Sequence, residues 1–505
     1  MKKSFFISLT IPYVNSTPHI GYALECIQGD VIARYQRFLG KDVFFVSGTD
    51  ENSLKNVQAA EKAGMSVQEF VKKHAEQFFE LKQLLNLSWD DFIRTTEDRH
   101  FAGAQKLWKL CEQDIYRKKY QGLYCVGCEA FYDADELDNG KCPDHKTELE
   151  QVDEENYFFA LSKYQTQIES ALKDNTIRVV PESRKSEMLA FVQKGLQDFS
   201  ISRSKERAHG WGVPVPGDEN QIMYVWFDAL SNYINALNFG GDEKLFEQFW
   251  NEKNAEMVHV LGKGVAKFHL LYWIGMLLSA KLPLPTQEFV HGYITVNGEK
   301  MSKSLGNVVA PRDLVSTYGT EATRYYFLGA MSAYQDGDYS QERFEDMYTS
   351  HLVNGVGNLT SRVLTMIEKY SNGKIPAQAP DIFDSTGFWS KYHQSLNNYA
   401  FHETIQLIHS MVSACDVMIN ETKPWEKFGH GQPINDLLYQ LAETLRHIAL
   451  ALIPILPDTA HSMLSRLGVH KLTTLEQESL WGKLPEGTVI EKGEILFPRL
   501  NKQTL

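Results

Sequence analysis

A chain of 505 residues, 43% apolar and 23% charged, is too long for one ordinary domain and is typical of a globular protein with several buried cores. The net charge of −13 argues against a protein that coats nucleic acid nonspecifically, because neutralising phosphates needs a basic surface. Six cysteines are too few for a disulfide scaffold, so we expect a reducing compartment.

The apolar pattern at the start of the chain predicts alternating strands and helices. Residues 4–11 are predicted as a buried strand, followed by a loop to Pro18, a helix from about His19 to Leu39 and a short strand over 42–47. A further helix is predicted from Phe70 to Leu85. Strands and helices that alternate at these lengths indicate a parallel sheet with crossover helices.

The pattern changes twice further along the chain. Cysteines, glycines and acidic residues from about 120 to 220 predict a small, loop-rich insertion. A sheet pattern returns over Ile222–Asp228, Val258–Leu261 and Glu288–Tyr293. Beyond about 346 the chain is almost all helical by period, with one apolar stripe that consists of Leu352, Val356, Leu359, Val363 and Ile367. We expect neither a membrane span nor a secretion signal, because no apolar run is long enough.

The first candidate site is the strand-to-helix junction over residues 12–22, PYVNSTPHIGY. A helix N-terminus presents free N–H groups and the positive end of the helix dipole, which suits nucleotide phosphates. Gly21 would let a nucleotide approach the backbone, and His19 can donate a hydrogen bond to a phosphate oxygen. Taken alone, this pattern is better interpreted as an ordinary capped helix.

The second candidate site is the segment 300–307, KMSKSLGN. Its two lysines, Lys300 and Lys303, are three positions apart among small hydroxyl residues and are followed by a glycine. Such a cationic loop can clamp a triphosphate and neutralise charge on departing pyrophosphate. A solvated surface loop is the ordinary alternative.

The third candidate site combines Cys125 and Cys128 with Cys142 and His145. Each pair is separated by two residues, and three thiolates with one imidazole fit tetrahedral Zn²⁺. A full set of four protein ligands leaves no open coordination position, so we expect a structural Zn²⁺ that supports folding. Four unrelated residues, or a degenerate knuckle without metal, are the alternative.

Together, the first two motifs resemble the paired signatures of the class I aminoacyl-tRNA synthetases. The sequence around them resembles the methionyl-tRNA synthetase family in particular. The resemblance rests on segments 48–51 (GTDE), 224–229 (YVWFDA), 268–273 (FHLLYW) and 291–293 (HGY), and covers roughly residues 4 to 457. It implies a ligase that activates methionine with ATP to methionyl-adenylate and pyrophosphate, then transfers methionine to the 3′-terminal adenosine of tRNA(Met).

The resemblance implies roles for individual residues at the active site. His19, Tyr22, Lys300 and Lys303 would be catalytic. The ATP site would consist of His19, Gly21, Tyr22, Gly262, Lys300, Met301, Ser302 and Lys303, and the methionine site of Ile11, Tyr13, Asp50, Trp226, Ala229, Tyr233, Val265, His269 and Trp273. Aromatic rings suit a polarizable sulfur, and Asp50 would accept a hydrogen bond from the substrate ammonium.

In the helical region the resemblance implies that Asn358, Arg362 and Trp425 read the CAU anticodon. Asn358 and Arg362 are one helical turn apart and so share a face. Stacking on an aromatic ring and hydrogen bonds to base edges are the usual means of recognising single-stranded bases. Without the resemblance, Trp425 is better interpreted as a core residue.

The sequence departs from the family pattern near the nucleotide site. Tyr22 replaces the second histidine of the first motif, Asn52-Ser53 replaces a common His-Gly, and Gly264 stands where we expect aspartate. In the predicted methionine site, Leu230 is a minor departure at a place where some members have proline. These departures leave open an alternative, a catalytically impaired paralogue that acts as a tRNA-binding adaptor. A second rival is another class I synthetase such as the cysteine enzyme, which would use zinc at its amino-acid site.

The predicted fold class is α/β: a Rossmann-type parallel-sheet catalytic domain, split by a zinc-knuckle insertion and followed by an α-helical bundle. The catalytic halves are predicted at 1–116 and 221–290, the connective insertion at 117–220, a linker with the lysine loop at 291–345 and the anticodon-binding domain at 346–505. We expect ATP with Mg²⁺, methionine, tRNA(Met) and one structural Zn²⁺ as ligands. A monomer in the cytoplasm is expected, with neither DNA nor a membrane as partner.

Overall fold

The computed structural model describes residues 2–125, 130–132, 137–143, 146–301 and 306–500. The strands within these residues are β1 Ser4–Leu9, β2 Asp42–Thr49, β3 Asp91–Arg94, β4 Ile115–Cys125, β5 Ala130–Tyr132, β6 Glu150–Phe159, β7 Arg178–Val180, β8 Phe199–Ser200, β9 Ser202–Ser204, β10 Pro214–Val215, β11 Asp218–Met223, β12 Glu256–Gly262, β13 Gln287–His291, β14 Ile294–Val296, β15 Glu299–Lys300 and β16 Gly337–Tyr339.

The α-helices of the described residues are α1 Ile20–Phe38, α2 Leu54–Ala63, α3 Val67–Phe79, α4 Leu81–Leu84, α5 Asp98–Leu110, α6 Gln165–Lys173, α7 Glu182–Gln193, α8 Val225–Leu230, α9 Asn232–Asn235, α10 Lys244–Phe246, α11 Ile274–Ala280, α12 Pro311–Tyr318, α13 Thr320–Gly329, α14 Gln341–Met347, α15 Asn358–Tyr370, α16 Ser385–Asn397, α17 Phe401–Thr422, α18 Pro424–Gly429, α19 Asn435–Leu452, α20 Pro457–Arg466 and α21 Leu475–Glu478. Short 3₁₀ turns span Glu112–Asp114, Leu161–Tyr164 and Lys263–Val265, and π-helical stretches span Glu247–Asn251, Phe268–Trp273 and Tyr348–Gly357.

A six-stranded parallel sheet forms the centre of the molecule, in the order β3-β2-β1-β12-β13-β7. Every residue of β1 is buried, as expected for a strand covered on both faces by crossover helices. The prediction of a Rossmann-type parallel sheet is confirmed. Helix α1 follows β1 directly, so the first sequence motif lies at the carboxyl edge of the sheet, where ligands of such sheets bind.

Most of the strands between α5 and α8 pair in antiparallel sheets. Strand β4 pairs with β6 over ten residues in the sheet β5-β4-β6-β8. Strand β7, although it lies within 117–220, returns to the central sheet beside β13, with Arg178 opposite Gln287. The strand predicted over Ile222–Asp228 is wrong beyond Met223, because Val225–Leu230 is a helix. A short apolar run cannot distinguish a buried strand from a buried helix.

A small three-stranded sheet carries the start of the lysine motif. Its order is β15-β14-β16, with Thr295 of β14 opposite Lys300 of β15 and Ile294 opposite Gly337 of β16. Ser302, Lys303 and the two residues that follow them lie outside the described residues.

The predicted helical region begins at α14. Its apolar stripe is confirmed: Leu352, Val356, Leu359, Val363 and Ile367 are all buried on a continuous helix that passes from the π-helical stretch into α15. The prediction of almost continuous helix is wrong beyond α20, where the only helix among the described residues is α21. No helix in the described part of the chain is long and apolar enough to cross a membrane.

A buried ion pair joins the central sheet to the helical region. Asp30 of α1 lies 2.8 Å from the Arg324 guanidinium of α13, and both side chains are fully buried. Arg324 also donates to the carbonyls of Leu85 and Ile455 at 3.0 and 2.9 Å. Burial alone would raise the pKa of Asp30, but Arg324 and Arg34 hold that pKa below its ordinary value. The buried Asp30 carboxylate therefore stays charged because Arg324 and Arg34 lie beside it.

We predict that Arg324→Met destabilises the protein by about 3–5 kcal/mol, because it leaves the Asp30 carboxylate buried without its main partner. Urea unfolding of the variant and the wild type measures this loss. Arg312→Met is the matched control, since its pair with Glu80 is exposed and contributes about 0–1 kcal/mol. Equal losses in the two variants would contradict the role of the buried pair.

Candidate active site

A cavity of about 290 Å³ opens at the carboxyl edge of the central sheet. Its walls come from the end of β1 and the following loop, the start of α1, the residue after β2, α8, α9 and the segment after β12. The lining residues are Thr10, Ile11, Pro12, Tyr13, Asn15, Ser16, Thr17, Pro18, His19, Tyr22, Asp50, Phe78, Trp226, Ala229, Leu230, Asn232, Tyr233, Val265 and His269. The structure therefore gathers all the predicted methionine-site residues except Trp273 around one space.

His19 stands at the cavity mouth as the N-cap of α1. Its Nδ1 accepts a hydrogen bond of 3.0 Å from the Gly21 N–H, so Nε2 carries the ring proton and can donate. The surrounding protein removes water from His19 and lowers its pKa, which favours this neutral form. A Cβ on Gly21 would lie 2.8 Å from the His19 ring, so this cap needs glycine at position 21.

The lysine motif approaches the same helix end. The Ile20 N–H donates to the Val309 carbonyl at 3.1 Å, and the Met301 Cε lies 3.7 Å from the position of a Cβ on Gly21. Residues on both sides of the lysine loop are thus in contact with the N-terminus of α1. Lys300 belongs to β15, while Ser302 and Lys303 lie outside the described residues.

Tyr233 and His269 form a hydrogen-bonded pair in the buried wall of the cavity. The Val265 carbonyl can only accept, so His269 Nδ1 donates to it at 2.9 Å, and His269 Nε2 accepts from the Tyr233 hydroxyl at 2.6 Å. Burial lowers the pKa of His269 to about 4 and raises the pKa of Tyr233 well above its ordinary value. Both groups are therefore neutral at physiological pH.

Trp273 lies behind this pair, where it does not line the cavity. Its indole N–H donates to His259 Nε2 at 3.2 Å, so His259 Nδ1 must donate to Ser8 Oγ at 2.5 Å. Burial lowers the pKa of His259 well below its ordinary value. Trp273 and Tyr233 are in edge contact, with ring centres 6.0 Å apart. Trp273 thus does not line the cavity itself but packs against Tyr233, which does.

Aromatic contacts and one carboxylate define the outer part of the cavity. Trp226 stacks on Phe268 with ring centres 3.5 Å apart, and the Lys55 ammonium lies 4.5 Å from the centre of the Tyr13 ring. Asp50 is buried at the end of β2, and its backbone forms a bridge with Tyr13. The Asp50 carboxylate accepts a hydrogen bond of 3.2 Å from the Asn52 N–H.

Two of the four predicted zinc ligands, Cys125 and Cys142, lie within the described residues, beside strand β5. Cys125 ends β4 and pairs with Ala130 of β5, and Cys142 lies 4.0 Å from the hydroxyl of Tyr132 at the other end of β5. Both thiols are buried. Cys128 and His145 lie outside the described residues. Within the described part of the chain, no three His, Cys, Asp or Glu side chains come together as a metal site, so the Zn²⁺ site stays a prediction.

The predicted anticodon residues lie on α15 and α18. Asn358 is exposed at the start of α15, and Arg362 lies one turn later. The Arg362 guanidinium is 2.5 Å from the Asp416 carboxylate and donates to Asn420 Oδ1 at 2.9 Å, both on α17. Trp425 of α18 is 46% exposed. An exposed tryptophan ring costs free energy in water, and a stacked base would cover it.

Comparisons with known proteins agree with this geometry. The family model described as "tRNA synthetases class I (M)" matches residues 5–154 and 145–364. The methionine–tRNA ligase of Thermotoga maritima is 39% identical over 98% of this chain and 80% of its own length. That of Nostoc is 38% identical over 99% of this chain and 98% of its own length.

The chain belongs to the class I methionyl-tRNA synthetase family.

Solved structures of a family member resemble this chain over nearly its whole length. The Mycobacterium tuberculosis methionyl-tRNA synthetase in complex with methionyl-adenylate is 33% identical, with a TM-score of 0.92 over 99% of this chain and 100% of that chain. Its apo form gives a TM-score of 0.85 at 30% identity, over 99% of both chains.

The departures from the methionyl-tRNA synthetase pattern have structural partners here. The Tyr22 hydroxyl lies 2.9 Å from Ser47 Oγ and 3.4 Å from the Thr10 carbonyl, and burial raises its pKa well above the ordinary value. This phenol is thus directed towards β1 and β2 in the structure. Asn52 donates to Asp228 Oδ2 at 2.8 Å, and Ser53 caps α2.

The Asn52 contact belongs to a buried network that sequence reasoning missed. Asp228 also accepts from His100 Nε2 at 2.5 Å, and His100 Nδ1 is 3.2 Å from Asn235 Nδ2. The network ties α5 to α8 and α9, which carry Trp226, Ala229 and Tyr233. Asp228 was within a recognised motif, but no sequence signal pointed to His100.

A second missed group is Glu288 of β13, which lies directly opposite His259 of β12. Its side chain is fully buried, and neither carboxylate oxygen has a hydrogen-bond partner among the described residues. Burial raises the pKa of Glu288 well above its ordinary value, so the group is a neutral acid.

We predict that Glu288→Gln stabilises the protein increasingly as pH rises. The folded protein keeps a proton that the unfolded chain releases above the ordinary glutamate pKa, so wild-type stability falls with rising pH. Thermal unfolding from about pH 5 to about pH 8 should show the difference growing by up to about 1.4 kcal/mol per pH unit. Glu486→Gln, at an exposed position, is the control. A constant difference would contradict a neutral Glu288.

Proposed function

We propose that the chain is a methionine–tRNA ligase that forms methionyl-adenylate from methionine and ATP and transfers methionine to tRNA(Met). The main support is the cavity, which combines a neutral aromatic wall with the capped N-terminus of α1. The methionine carboxylate attacks the α-phosphate of ATP, and the bond to pyrophosphate breaks. A hydroxyl of the terminal adenosine of tRNA then attacks the carbonyl carbon and releases AMP.

Methionine would bind with its thioether against Tyr233 and His269 and its ammonium near Asp50. Because His269 donates to Val265 and Tyr233 donates to His269, neither group has a free proton to offer without breaking a bond. The wall is thus neutral and polarizable, and it suits a thioether better than a charged side chain. Discrimination against apolar analogues would depend on the shape of the cavity.

ATP would bind with its phosphates at the N-terminus of α1. His19 Nε2–H would donate to a phosphate oxygen, and Lys300 and Lys303 would neutralise charge on the departing pyrophosphate. Mg²⁺ would enter with ATP and add positive charge to the phosphates. The contacts of Met301 and Val309 with α1 support a place for the lysine motif near this helix end.

The rest of the chain would recognise tRNA and support folding. We propose the division predicted from sequence, with 117–220 as a connective insertion that holds Zn²⁺ and 346–505 as the anticodon-binding domain. The contacts of Arg362 with Asp416 and Asn420 support a guanidinium held in one place, and the exposure of Trp425 supports a ring that a base could cover. The monomeric state and cytoplasmic location stay predictions.

We predict ATP–pyrophosphate exchange that depends on methionine and on no other standard amino acid. Lys300→Ala and Lys303→Ala should each lower kcat by about a hundredfold or more, because each removes charge that stabilises the transition state. The KM for methionine should change little, since neither lysine lies in the predicted methionine site. Lys374→Ala, an exposed lysine of the helical region, is the control.

Two outcomes of this assay would contradict the proposal. Exchange with cysteine instead of methionine would favour the other class I synthetase. Absence of exchange with every amino acid, in folded zinc-loaded protein that still binds tRNA(Met), would favour the adaptor and would identify Tyr22, Asn52 and Gly264 as candidate causes. Unchanged exchange in both lysine variants would remove the role assigned to the loop.

We predict one Zn²⁺ per chain, bound by Cys125, Cys128, Cys142 and His145. Cys125→Ser and Cys142→Ser should abolish the zinc content measured by atomic absorption and destabilise the insertion, because metal binding is coupled to folding. Cys415→Ser is the matched control, since this buried thiol lies on α17 in the helical region. Full zinc content in Cys125→Ser or Cys142→Ser would contradict the assignment.

A further inference from the structure

Three chain segments meet beside the cavity. The 3₁₀ turn Lys263–Val265 follows β12, Tyr293 follows β13 and Asp336 precedes β16. Lys263 Nζ lies 2.7 Å from Asp336 Oδ2 and 4.7 Å from the centre of the Tyr293 ring. The Tyr293 N–H donates to Asp336 Oδ1 at 2.9 Å. Val265, the last residue of this turn, lines the cavity, so the contacts of Lys263 lie next to the cavity wall.

Two glycines allow the segments to come this close. A Cβ on Gly264 would lie 1.8 Å from the Tyr293 hydroxyl oxygen, and a Cβ on Gly292 would lie 2.1 Å from the Gln335 carbonyl oxygen. Both values are far below van der Waals contact. Neither glycine has a left-handed φ, so each supplies space rather than an unusual backbone conformation. The phenol of Tyr293 occupies the volume that any side chain at position 264 would need.

The same segments hold the sheet that carries the lysine motif. Gly337, next to Asp336, pairs with Ile294 of β14. Asp338 accepts from Thr295 Oγ1 at 2.6 Å and from the Gly298 N–H at 2.8 Å, which fixes the turn between β14 and β15. Strand β15 ends at Lys300. Residues 336–338 therefore connect the cavity turn on one side with the lysine-bearing hairpin on the other.

We propose that Tyr293, Lys263 and Asp336 form a strut that positions the lysine loop relative to the adenylation cavity. The inference rests on the proposed function. The Lys263–Asp336 pair is partly exposed, so its loss should cost little stability. Its effect is geometric, because reaction rates at such sites fall steeply when charged groups are displaced by about 1 Å. The three residues are positioning residues, since none of them needs to touch the reacting atoms.

A double-mutant cycle tests the strut in methionine-dependent ATP–pyrophosphate exchange. Gly264→Ala displaces the Tyr293 ring, and Tyr293→Ala removes it. Each should lower kcat/KM for ATP by about tenfold, and the double variant should lose no more than either single variant. The KM for methionine should stay within about twofold of the wild type, because neither Gly264 nor Tyr293 is among the residues that line the cavity. Independent effects would multiply to about a hundredfold and would overturn the proposal.

Asp336→Asn tests the ionic part of the strut and should lower kcat/KM for ATP in the same direction. Glu368→Gln is the matched control, because Glu368 forms a comparable ion pair of 2.9 Å with Lys492 in the helical region. We expect wild-type exchange kinetics from the control. Equal loss in the two variants would show that surface charge, not the strut, is responsible.

Hydrogen exchange of backbone amides provides a readout that does not need activity. The amides of 294–300 should exchange faster in Gly264→Ala, Tyr293→Ala and Asp336→Asn, while those of β1 and β2 stay at the wild-type rate. Wild-type exchange at 294–300 in all three variants would overturn the strut. Inactive wild-type protein would instead contradict the proposed function, so the two failures are distinguishable.

Discussion

The buried pair of Asp30 and Arg324 fixes how the two large parts of the chain meet. Its two charges are unfavourable in a dry interior unless each finds partners, and the structure provides them from several segments. Arg324 also donates hydrogen bonds to the main-chain carbonyls of Leu85, Pro454 and Ile455. This arrangement opposes movement of the helical region relative to the central sheet, because any shift leaves a charge or a donor without a partner.

The cavity wall, in contrast to this charged pair, contains buried titratable groups that are neutral. Tyr233 and His269 line the cavity, while His259 and Glu288 lie opposite each other on β12 and β13 outside its lining, and burial keeps all four groups neutral. The hydrogen bonds of Tyr233 and His269 in the cavity wall are already made within the protein. Asp50 lines the same cavity as a buried carboxylate, and the N-terminus of α1 also lies at the cavity.

Local patterns and distant contacts differed in how well the sequence predicted them. Helix α1 and its neighbouring strands were predictable, because a cap, a glycine and clear periodicity all agree there. Strand β7 was not, since three residues within a loop-rich stretch give no periodic signal. The cavity lining followed from family motifs, whereas the contact of His100 with Asp228 joins positions 128 residues apart without any local pattern. Tyr22 of α1 was expected at the phosphates, but the direction of its hydroxyl depends on a contact with Ser47 of β2, which is distant in sequence.

Helix α1 runs from the cavity towards the helical region as one continuous helix. Its first turn carries the His19 cap at the cavity, and Glu25 accepts from the Thr10 N–H at 2.8 Å while it contacts His291 Nε2 at 2.9 Å. Further along, Asp30 holds Arg324, and the Tyr35 hydroxyl lies 2.7 Å from His393 of α16. At 1.5 Å per residue, a helix of 19 residues spans about 28 Å. Because Glu25, Asp30 and Tyr35 each contact a different part of the chain, α1 links the cavity edge of the central sheet to the helical region. A switch would require an element with two stable positions, and a continuous helix held at three points is poorly suited to that role.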